Sequence, residues 1–211
     1  MFQLGRRHYM DRQRIEAAYD HIAAEYAALS QMPPNLVEMA TRFLGRLGLG
    51  ARVLDIGCGD GLHMTWMEGR GFQATGIDLS AGMLEQARAR GVRGELLQMD
   101  MCHLTLPPAS FEGVWCCASL LHVPKAQAPL ALEQMRCVLV PGGTLYLGLQ
   151  KGSGEKWEVT RFAGVERFFA RYTPEEAEEL LAQAGFSVDE CHQDEAGPGR
   201  SWLNILATAA L

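Results

Sequence analysis

Three glycines at alternate positions stand out in the stretch "VLDIGCGDG", which runs from residue 53 to residue 61. They are Gly57, Gly59 and Gly61, and Asp55 precedes them at the same spacing. Glycine loses more conformational entropy on folding than any other residue, so such a cluster favours a loop that a ligand approaches closely. The apolar residues before the glycines predict a buried strand and those after them a helix. In parallel α/β sheets, this first strand-to-helix turn is where nucleotides bind.

Two further acids fall at the ends of the next two predicted strands. Asp78 ends "QATGID", 23 residues after Asp55, and Asp100 ends "GELLQMD". An acid at the end of the second strand can accept hydrogen bonds from both hydroxyls of a ribose, and Asp100 can face an adenine amino group. The glycine spacing differs from the G-x-G-x-x-G of a classical dinucleotide-binding fingerprint. No Gly-Lys-Ser/Thr follows, so the loop is not a phosphate-binding Walker loop either. An NAD-dependent oxidoreductase is therefore a distant alternative.

Strands and helices must alternate to bring these residues to one edge of a sheet. Five predicted strands between residues 52 and 150 are separated by helical patterns, which indicates an α/β fold with a mostly parallel, doubly wound sheet. A last helix with Thr173 as N-cap precedes two strands, joined by the turn "EAGPGR", that must pair antiparallel. We expect one domain of 1–211 whose parts are a helical cap (1–50), a cofactor-binding core (51–150), a lid or substrate segment (151–172), and a C-terminal helix and β-hairpin (173–211).

Composition narrows the class of protein. The chain has 211 residues, a net charge of −6 and no apolar run of the roughly 20 residues that span a bilayer. The charge argues against a protein that grips nucleic acid through its phosphates. The N-terminus lacks the apolar stretch of a secretory signal, so we expect a cytoplasmic protein without a membrane partner. The six cysteines form no CxxC pair and no zinc-like spacing, so no metal site is predicted.

Five motifs in order along the chain resemble those of the class I S-adenosylmethionine-dependent methyltransferases, in particular the small single-domain enzymes of types 11 and 25. The motifs are "VLDIGCGDG", "TGIDLSAGML", "LLQMDM", "FEGVWCCASLLHV" and "LVPGGTLYLG". The resemblance covers residues 15 to 208. It implies a Rossmann-like, seven-stranded sheet of order 3-2-1-4-5-7-6 with strand 7 antiparallel, and S-adenosyl-L-methionine as the cofactor.

The resemblance also assigns expected roles to the matching positions. Gly57, Gly59 and Gly61 would admit the methionine and ribose moieties. Asp55 would orient this loop and the amino group of the cofactor, and Asp78 would hold the ribose hydroxyls. The other expected cofactor contacts are Leu79 and Met83 on the adenine face, Asp100 and Met101 at its edge, Ala118 near the methionine end, and His63 at the start of the first core helix.

No obvious acid–base constellation accompanies these positions, since the cofactor itself carries the electrophile. The catalytic candidates are Tyr19 and Tyr26, which share a helix face, and His122, which follows the fourth strand near the expected active-site mouth. In related enzymes, tyrosines of this pattern close over the cofactor. The alternative for each residue is ordinary packing or hydrogen bonding without a catalytic role.

The segment 151–172 reads as irregular and is rich in aromatic residues and arginines. Its length and position above the expected site predict a lid that orders when ligands bind. Aromatic side chains can wall a pocket, and an arginine can hold a carboxylate or phosphate. The substrate-binding candidates are Trp157, Arg161, Phe168 and Arg171. The alternative is that the aromatic side chains simply cover the sheet.

The resulting hypothesis is methyl transfer to a small-molecule acceptor by in-line displacement, in a monomer or homodimer. The acceptor atom is left open between oxygen, nitrogen and carbon. The alternatives are an RNA or protein methyltransferase, which the net charge of −6 disfavours, and a non-catalytic protein that binds S-adenosylmethionine.

Overall fold

Six α-helices and nine β-strands follow one another in the computed structural model, which describes residues 2–162, 164–195 and 200–210, with side chains from residue 11 onward. The helices are α1 (Phe2–Leu29), α2 (Pro34–Gly45), α3 (Leu62–Glu68), α4 (Ala81–Arg90), α5 (Ala128–Val138) and α6 (Pro174–Gln183). The strands are β1 (Arg52–Ile56), β2 (Gln73–Asp78), β3 (Leu96–Gln98), β4 (Phe111–Cys117), β5 (Leu139–Gln150), β6 (Glu155–Val159), β7 (Glu166–Ala170), β8 (Phe186–Glu195) and β9 (Ser201–Ala209). A 3-10 turn, η1 (Leu120–His122), follows β4.

The sheet has seven strands in the order β3-β2-β1-β4-β5-β9-β8. The first five strands pair parallel to one another, and β9 pairs antiparallel with both β5 and β8. With the separate β6–β7 pair set aside, this confirms the predicted order 3-2-1-4-5-7-6. The strand order reverses between β1 and β4. The loops that follow β1, β2, β3 and β4 therefore meet at one edge of the sheet, where ligands bind in folds of this kind.

The sequence suggested that the segment 151–172 is irregular, but part of it forms regular structure. Its middle forms the antiparallel pair β6–β7, with a register that runs from Glu155 opposite Ala170 to Val159 opposite Glu166. Phe168 and Ala170 on one face of β7 are buried, whereas neighbouring side chains are more exposed. This alternation of burial along β7 is that of a half-buried strand. The predicted hairpin β8–β9 is confirmed, although most of its turn lies outside the described residues.

Helix ends follow the predicted capping chemistry. The hydroxyl of Ser80 accepts a hydrogen bond from the amide of Met83 and begins α4. Thr173 and Glu176 form a capping box at the start of α6. Helix α1 lies within the predicted helical cap and runs from Phe2 to Leu29. No helix in the described part of the chain is long and apolar enough to cross a bilayer.

Candidate functional site

A cavity of about 490 Å³ opens at the carboxyl edge of the sheet, beneath α1. Its wall is built from the loops after β1, β2, β3 and β4 together with one face of α1. Eleven residues singled out from the sequence line this cavity: Tyr19, Tyr26, Gly57, Gly59, Asp78, Leu79, Met83, Asp100, Met101, Ala118 and His122. Residues from five separate segments thus converge on one space.

The three alternate glycines all have positive φ, but the space around them differs. A Cβ at Gly57 would lie 1.9 Å from the hydroxyl oxygen of Ser119, and one at Gly61 would lie 2.4 Å from a methyl carbon of Val92. Glycine is therefore required at these two positions because the backbone packs closely against the β4 loop and α4. A Cβ at Gly59 would meet no protein atom within 4 Å. Gly61 does not line the cavity, so its expected contact with the ligand is not supported.

Asp78, rather than Asp55, holds the glycine loop in place. One carboxylate oxygen accepts a hydrogen bond from the amide of Gly59 at 2.8 Å, and the other accepts one from Ser80 at 2.9 Å. Burial raises the pKa of Asp78, although these backbone hydrogen bonds oppose the increase. Each carboxylate oxygen keeps acceptor capacity that can be directed into the cavity.

The carboxylate of Asp55 is buried, with a relative exposure of 1%, and neither of its oxygens has a hydrogen-bond partner among the described residues. Burial raises its pKa well above the ordinary value, and the nearby Asp78 and Asp60 add to the increase. Asp55 therefore makes no direct hydrogen bond to the loop among the described residues, and its expected role in orienting the loop and the cofactor amino group stays a prediction. A buried carboxylate without a donor is costly unless a ligand or water supplies one.

The far side of the loop is fixed by Asp60. Its carboxylate pairs with Arg90 at the end of α4 and accepts a hydrogen bond from Ser30, just after α1. Arg90 also donates to the backbone carbonyl of Asp60 at 2.9 Å. The glycine loop is thus held from both sides by side chains of the protein.

Helix α1 forms the roof of the cavity through polar contacts along its length. Asp20 accepts hydrogen bonds from the hydroxyl of Ser80 at 2.6 Å and from the amide of Gly82 at 2.9 Å. Nearer the N-terminus, Arg12 pairs with Asp100 at 3.4 Å. Asp100 also accepts from the amide of Cys102, so part of the carboxylate expected at the adenine edge is already engaged.

Tyr19 and His122 meet at the cavity wall, although they are 103 residues apart in the chain. The Tyr19 hydroxyl lies 2.6 Å from His122 Nε2 and 2.9 Å from a terminal nitrogen of Arg167. Burial lowers the pKa of His122 to about 3 and raises that of Tyr19. The ring of Tyr26 lies edge-on to that of Tyr19, with 6.2 Å between centroids. The two tyrosines and His122 thus form one continuous patch.

His63 lies away from the cavity lining. Its Nδ1 accepts a hydrogen bond from the indole nitrogen of Trp115 at 3.3 Å, and burial lowers its pKa to about 4. A neutral histidine with a hydrogen-bond partner inside the fold has a structural explanation. The expected cofactor contact of His63 is therefore not supported by its position.

The four substrate candidates of the β6–β7 region do not line the cavity either. Arg171 is paired with Glu158 at 2.8 Å, and the exposed Arg161 lies against a neighbouring ring. Trp157 lies under the guanidinium of Arg14, and Phe168 is buried. Because the segment is a packed hairpin, its side chains support α1 and η1 instead of entering the cavity.

Several lining residues were missed from the sequence: Arg12, Ile15, Met99, Cys117, Ser119 and Gln127. Two of them had a usable signal, because Arg12 and Ile15 lie seven and four residues before Tyr19 on the same helix face. The others are ordinary loop and strand-end residues whose types carry no signal of their own.

Two features of this region fit the S-adenosylmethionine that the motifs imply. Asp55 is not among the lining residues, but its unpartnered buried carboxylate next to the glycine loop suits a ligand ammonium group, reached directly or through water. Gly59 lines the cavity, and no protein atom lies within 4 Å of the position that a Cβ would take there. A side chain at this position would therefore take up space that the ligand needs. Leu79 and Met83 add apolar surface on the side of the cavity next to Asp78.

Sequence comparisons place the chain among known proteins. The sequence model of the family described as "Methyltransferase domain" matches residues 53–143. A malonyl-[acyl-carrier protein] O-methyltransferase from Erwinia pyrifoliae is 31% identical over 94% of this chain and 78% of its own length. A ubiquinone biosynthesis O-methyltransferase from Xanthomonas campestris is 39% identical over 46% of this chain and 42% of its own length.

A comparison of folds gives the same grouping. The 1,6-didemethyltoxoflavin-N1-methyltransferase of Burkholderia thailandensis, solved with 1,6-didemethyltoxoflavin and S-adenosylhomocysteine bound, superposes with a TM-score of 0.77. The alignment covers 96% of this chain and 89% of that protein at 19% identity. At this identity the match supports a shared fold and nothing finer.

Proposed function

The chain belongs to the S-adenosylmethionine-dependent methyltransferases, and we propose that it methylates an oxygen atom of a small-molecule acceptor. Its cofactor is S-adenosylmethionine, whose sulfonium supplies an electrophilic methyl group. Both relatives compared above are O-methyltransferases by name, one for malonyl-[acyl-carrier protein] and one in ubiquinone biosynthesis. Their names support oxygen as the acceptor atom but differ in the acceptor.

The cavity beneath α1 is the observation that carries the proposal. Its volume of about 490 Å³ falls in the range of about 300–1,000 Å³ that is usual for small-molecule sites. The same space must hold both cofactor and acceptor, so it suits a small molecule or the small reacting end of a carried group. The net charge of −6 also opposes a nucleic-acid substrate.

The described residues have distinct proposed roles toward the cofactor. Asp78 would accept hydrogen bonds from the ribose hydroxyls while it keeps the amide of Gly59 in place. Leu79 and Met83 would cover the adenine face, and Asp55 would balance the charge of the cofactor ammonium group. Ala118, which has a φ of +53° at the end of β4, would bring its backbone toward the methionine end.

The remaining roles cover the adenine edge and the closure of the site. Asp100 and Met101 would meet the adenine edge, with Arg12 holding the Asp100 carboxylate. Tyr19 and Tyr26 would exclude water from the reacting atoms, since their rings close the cavity below α1. Exclusion of water strengthens every electrostatic interaction in the site.

The test combines binding and turnover. Calorimetry with S-adenosylhomocysteine is expected to give micromolar affinity, on the order of −8 kcal/mol. Ligand at about 100 times its dissociation constant should add about 2.7 kcal/mol of stability. Formation of S-adenosylhomocysteine from S-adenosylmethionine is then measured across a panel of alcohols, phenols, carboxylates and amines. Turnover with amines alone would contradict oxygen as the acceptor atom, and binding without any turnover would favour a non-catalytic protein.

A further inference from the structure

A chain of hydrogen bonds crosses the cavity wall from β7 to α1. His122 Nδ1 lies 2.6 Å from the backbone oxygen of Phe168, and His122 Nε2 lies 2.6 Å from the Tyr19 hydroxyl. A terminal nitrogen of Arg167 lies 2.9 Å from the same hydroxyl. Tyr19 and His122 line the cavity, whereas Phe168 and Arg167 lie behind them.

The two ends of this chain determine the direction of every hydrogen bond in it. A carbonyl can only accept, so His122 Nδ1 carries the hydrogen that Phe168 receives. Burial lowers the pKa of His122 to about 3, so the imidazole is neutral near pH 7 and Nε2 carries no hydrogen. Nε2 must therefore accept the hydroxyl hydrogen of Tyr19. A guanidinium can only donate, so Arg167 donates to the oxygen of Tyr19.

Because the hydrogen bonds run in this direction, Tyr19 can form only one kind of hydrogen bond with a ligand in the cavity. A tyrosine hydroxyl can donate one hydrogen bond, and its oxygen can accept. The donor is used by His122, so toward the cavity the Tyr19 oxygen can only accept, and it shares this acceptor capacity with Arg167. A ligand group at this point gains a hydrogen bond only if it brings a hydrogen of its own.

We propose that Tyr19 orients the methyl acceptor by accepting a hydrogen bond from its reacting hydroxyl group, and that the site selects an alcohol or phenol over a carboxylate. His122 is the positioning residue, because it keeps the hydroxyl hydrogen of Tyr19 turned away from the cavity. The proposal rests on oxygen methylation as the function. A site built to hydrogen-bond a substrate hydroxyl strongly rejects analogues that lack it, because its buried polar group is then left unpaired.

Arg167 is the one feature nearby that could favour a carboxylate. It has no acidic partner among the described residues, and its guanidinium lies 5.1–5.4 Å from the ring centroids of Tyr19, Phe162 and Phe169. It does not line the cavity, however, because Tyr19 stands in front of it. Its charge therefore acts on the Tyr19 oxygen, and direct contact with a ligand would require Tyr19 to move.

The first experiment reads the direction of the hydrogen bonds without any substrate. Nitrogen NMR of histidine-labelled protein saturated with S-adenosylhomocysteine should show two histidines that stay neutral from pH 8 to pH 5. His63 should carry its hydrogen on Nε2, because its Nδ1 accepts from Trp115, and the other, which is His122, should carry its hydrogen on Nδ1. Its signal should be absent in His122→Gln and its Nε2 shift should change in Tyr19→Phe. Hydrogen on Nε2 of His122, or protonation of this histidine near pH 6, would overturn the proposal.

The second experiment measures whether the site prefers a hydroxyl group to a carboxylate, with phenol and benzoate as a matched pair of probes. We expect phenol to bind the S-adenosylhomocysteine complex at least about tenfold more tightly than benzoate, and Tyr19→Phe to remove this preference. Tyr26→Phe is the matched comparison, because it removes a hydroxyl from the same wall outside the chain, and it should keep the preference.

The remaining outcomes count against the proposal in distinguishable ways. Equal affinities for phenol and benzoate, or no phenol binding at millimolar concentration, would overturn it. If Arg167→Ala selectively weakens benzoate, carboxylate recognition by Arg167 is the correct explanation. If Tyr19→Phe weakens S-adenosylhomocysteine itself, Tyr19 serves the cofactor. A wild-type protein that does not bind S-adenosylhomocysteine would instead refute the proposed function.

Discussion

The two sides of the cavity are built in different ways. Under the proposed function, the cofactor side consists of the loops after β1, β2 and β3, and the acceptor side consists of α1 and η1, which the β6–β7 hairpin supports. On the cofactor side, Asp78 holds a backbone amide only 19 residues away. On the acceptor side, Tyr19 meets side chains 103 and 148 residues away. The first arrangement depends on local backbone geometry, and the second depends on how distant elements pack.

This difference predicts where substitutions act. A change on the cofactor side should alter affinity for a ligand that the whole family shares. A change on the acceptor side should alter which molecule is methylated and leave cofactor affinity nearly intact.

The largest expected effect is that of Asp78→Ala on cofactor affinity. Two charge-assisted hydrogen bonds to ribose would be lost, each worth about 1.5–3 kcal/mol, so the dissociation constant for S-adenosylhomocysteine should rise at least about 100-fold. The loop amide of Gly59 would lose its acceptor as well. Calorimetry measures the affinity, and circular dichroism checks that the fold is retained.

Asp20→Ala is the matched control for this change. Asp20 also accepts hydrogen bonds at the start of α4, but it does not line the cavity. Its loss should weaken binding far less than the loss of Asp78. Equal effects of the two substitutions would show that Asp78 acts through the loop alone and would remove its role at the ribose.

The second-largest expected effect is a difference between alanine substitutions at two glycines of the same loop, Gly57 and Gly59. Both have positive φ, +70° at Gly57 and +54° at Gly59, so alanine strains the backbone at each. Gly57→Ala would also clash with Ser119, and we expect it to lower the free energy of unfolding by about 1–3 kcal/mol more than Gly59→Ala does. Gly59→Ala should mainly weaken S-adenosylhomocysteine. Urea unfolding and calorimetry of both variants test this, and an identical pattern would contradict it.

The same contrast explains how much could be predicted from the sequence. Strand order, the glycine loop and the acids at the strand ends follow from motifs in which residue type and spacing already imply the geometry. The placement of His122 against Tyr19 could not be inferred, because it depends on how α1 packs over the sheet. The β6–β7 strands were missed because their aromatic residues were interpreted as a loop, and the residues of β7, "ERFFA", do not alternate between apolar and polar types as a half-buried strand usually does.

The role of Asp55 was also only partly predictable. Its position after Val53 and Leu54 indicated an acid near the loop, but the sequence gave no sign that the loop amide of Gly59 would hydrogen-bond Asp78 instead. Which of two neighbouring carboxylates receives a backbone donor depends on strand register and loop shape. Single-residue patterns do not contain that information.

The third expected effect is a gain of stability in Asp55→Asn. A carboxyl whose pKa is raised in the folded protein binds its proton more tightly there, so stability falls as the pH rises above the unfolded value of about 3.9. The neutral amide removes this penalty. We expect the ligand-free variant to be about 1–3 kcal/mol more stable than the wild type at pH 7 and to show little gain at pH 4.

Urea unfolding at the two pH values measures this gain, and calorimetry should show weaker binding of S-adenosylhomocysteine. Stability and affinity would then change in opposite directions, as expected of a group that is costly to the empty fold and useful to the ligand. A variant that is less stable at pH 7 would mean that Asp55 has a partner in solution, such as a bound water.

The smallest expected effect concerns the β6–β7 hairpin, for which the sequence suggested a lid. Ala170 is fully buried, Phe168 is 7% exposed, and five residue pairs join the strands. These contacts join groups of the protein itself, so the cross-strand amides of 155–159 and 166–170 should exchange slowly in the ligand-free protein. Addition of S-adenosylhomocysteine should slow them by less than about tenfold, since the hairpin supports the wall from behind.

Hydrogen exchange of the whole 151–172 segment decides between this wall and a lid. The loop amide of Gly59 is the internal reference, because it belongs to the cofactor side and should gain protection when the ligand binds. Slowing of the hairpin amides by more than about 100-fold would mean that the segment orders on binding, as a lid does. In that case the acceptor side would be completed only in the bound state, and the hydrogen-bond chain from Phe168 to Tyr19 would form together with it.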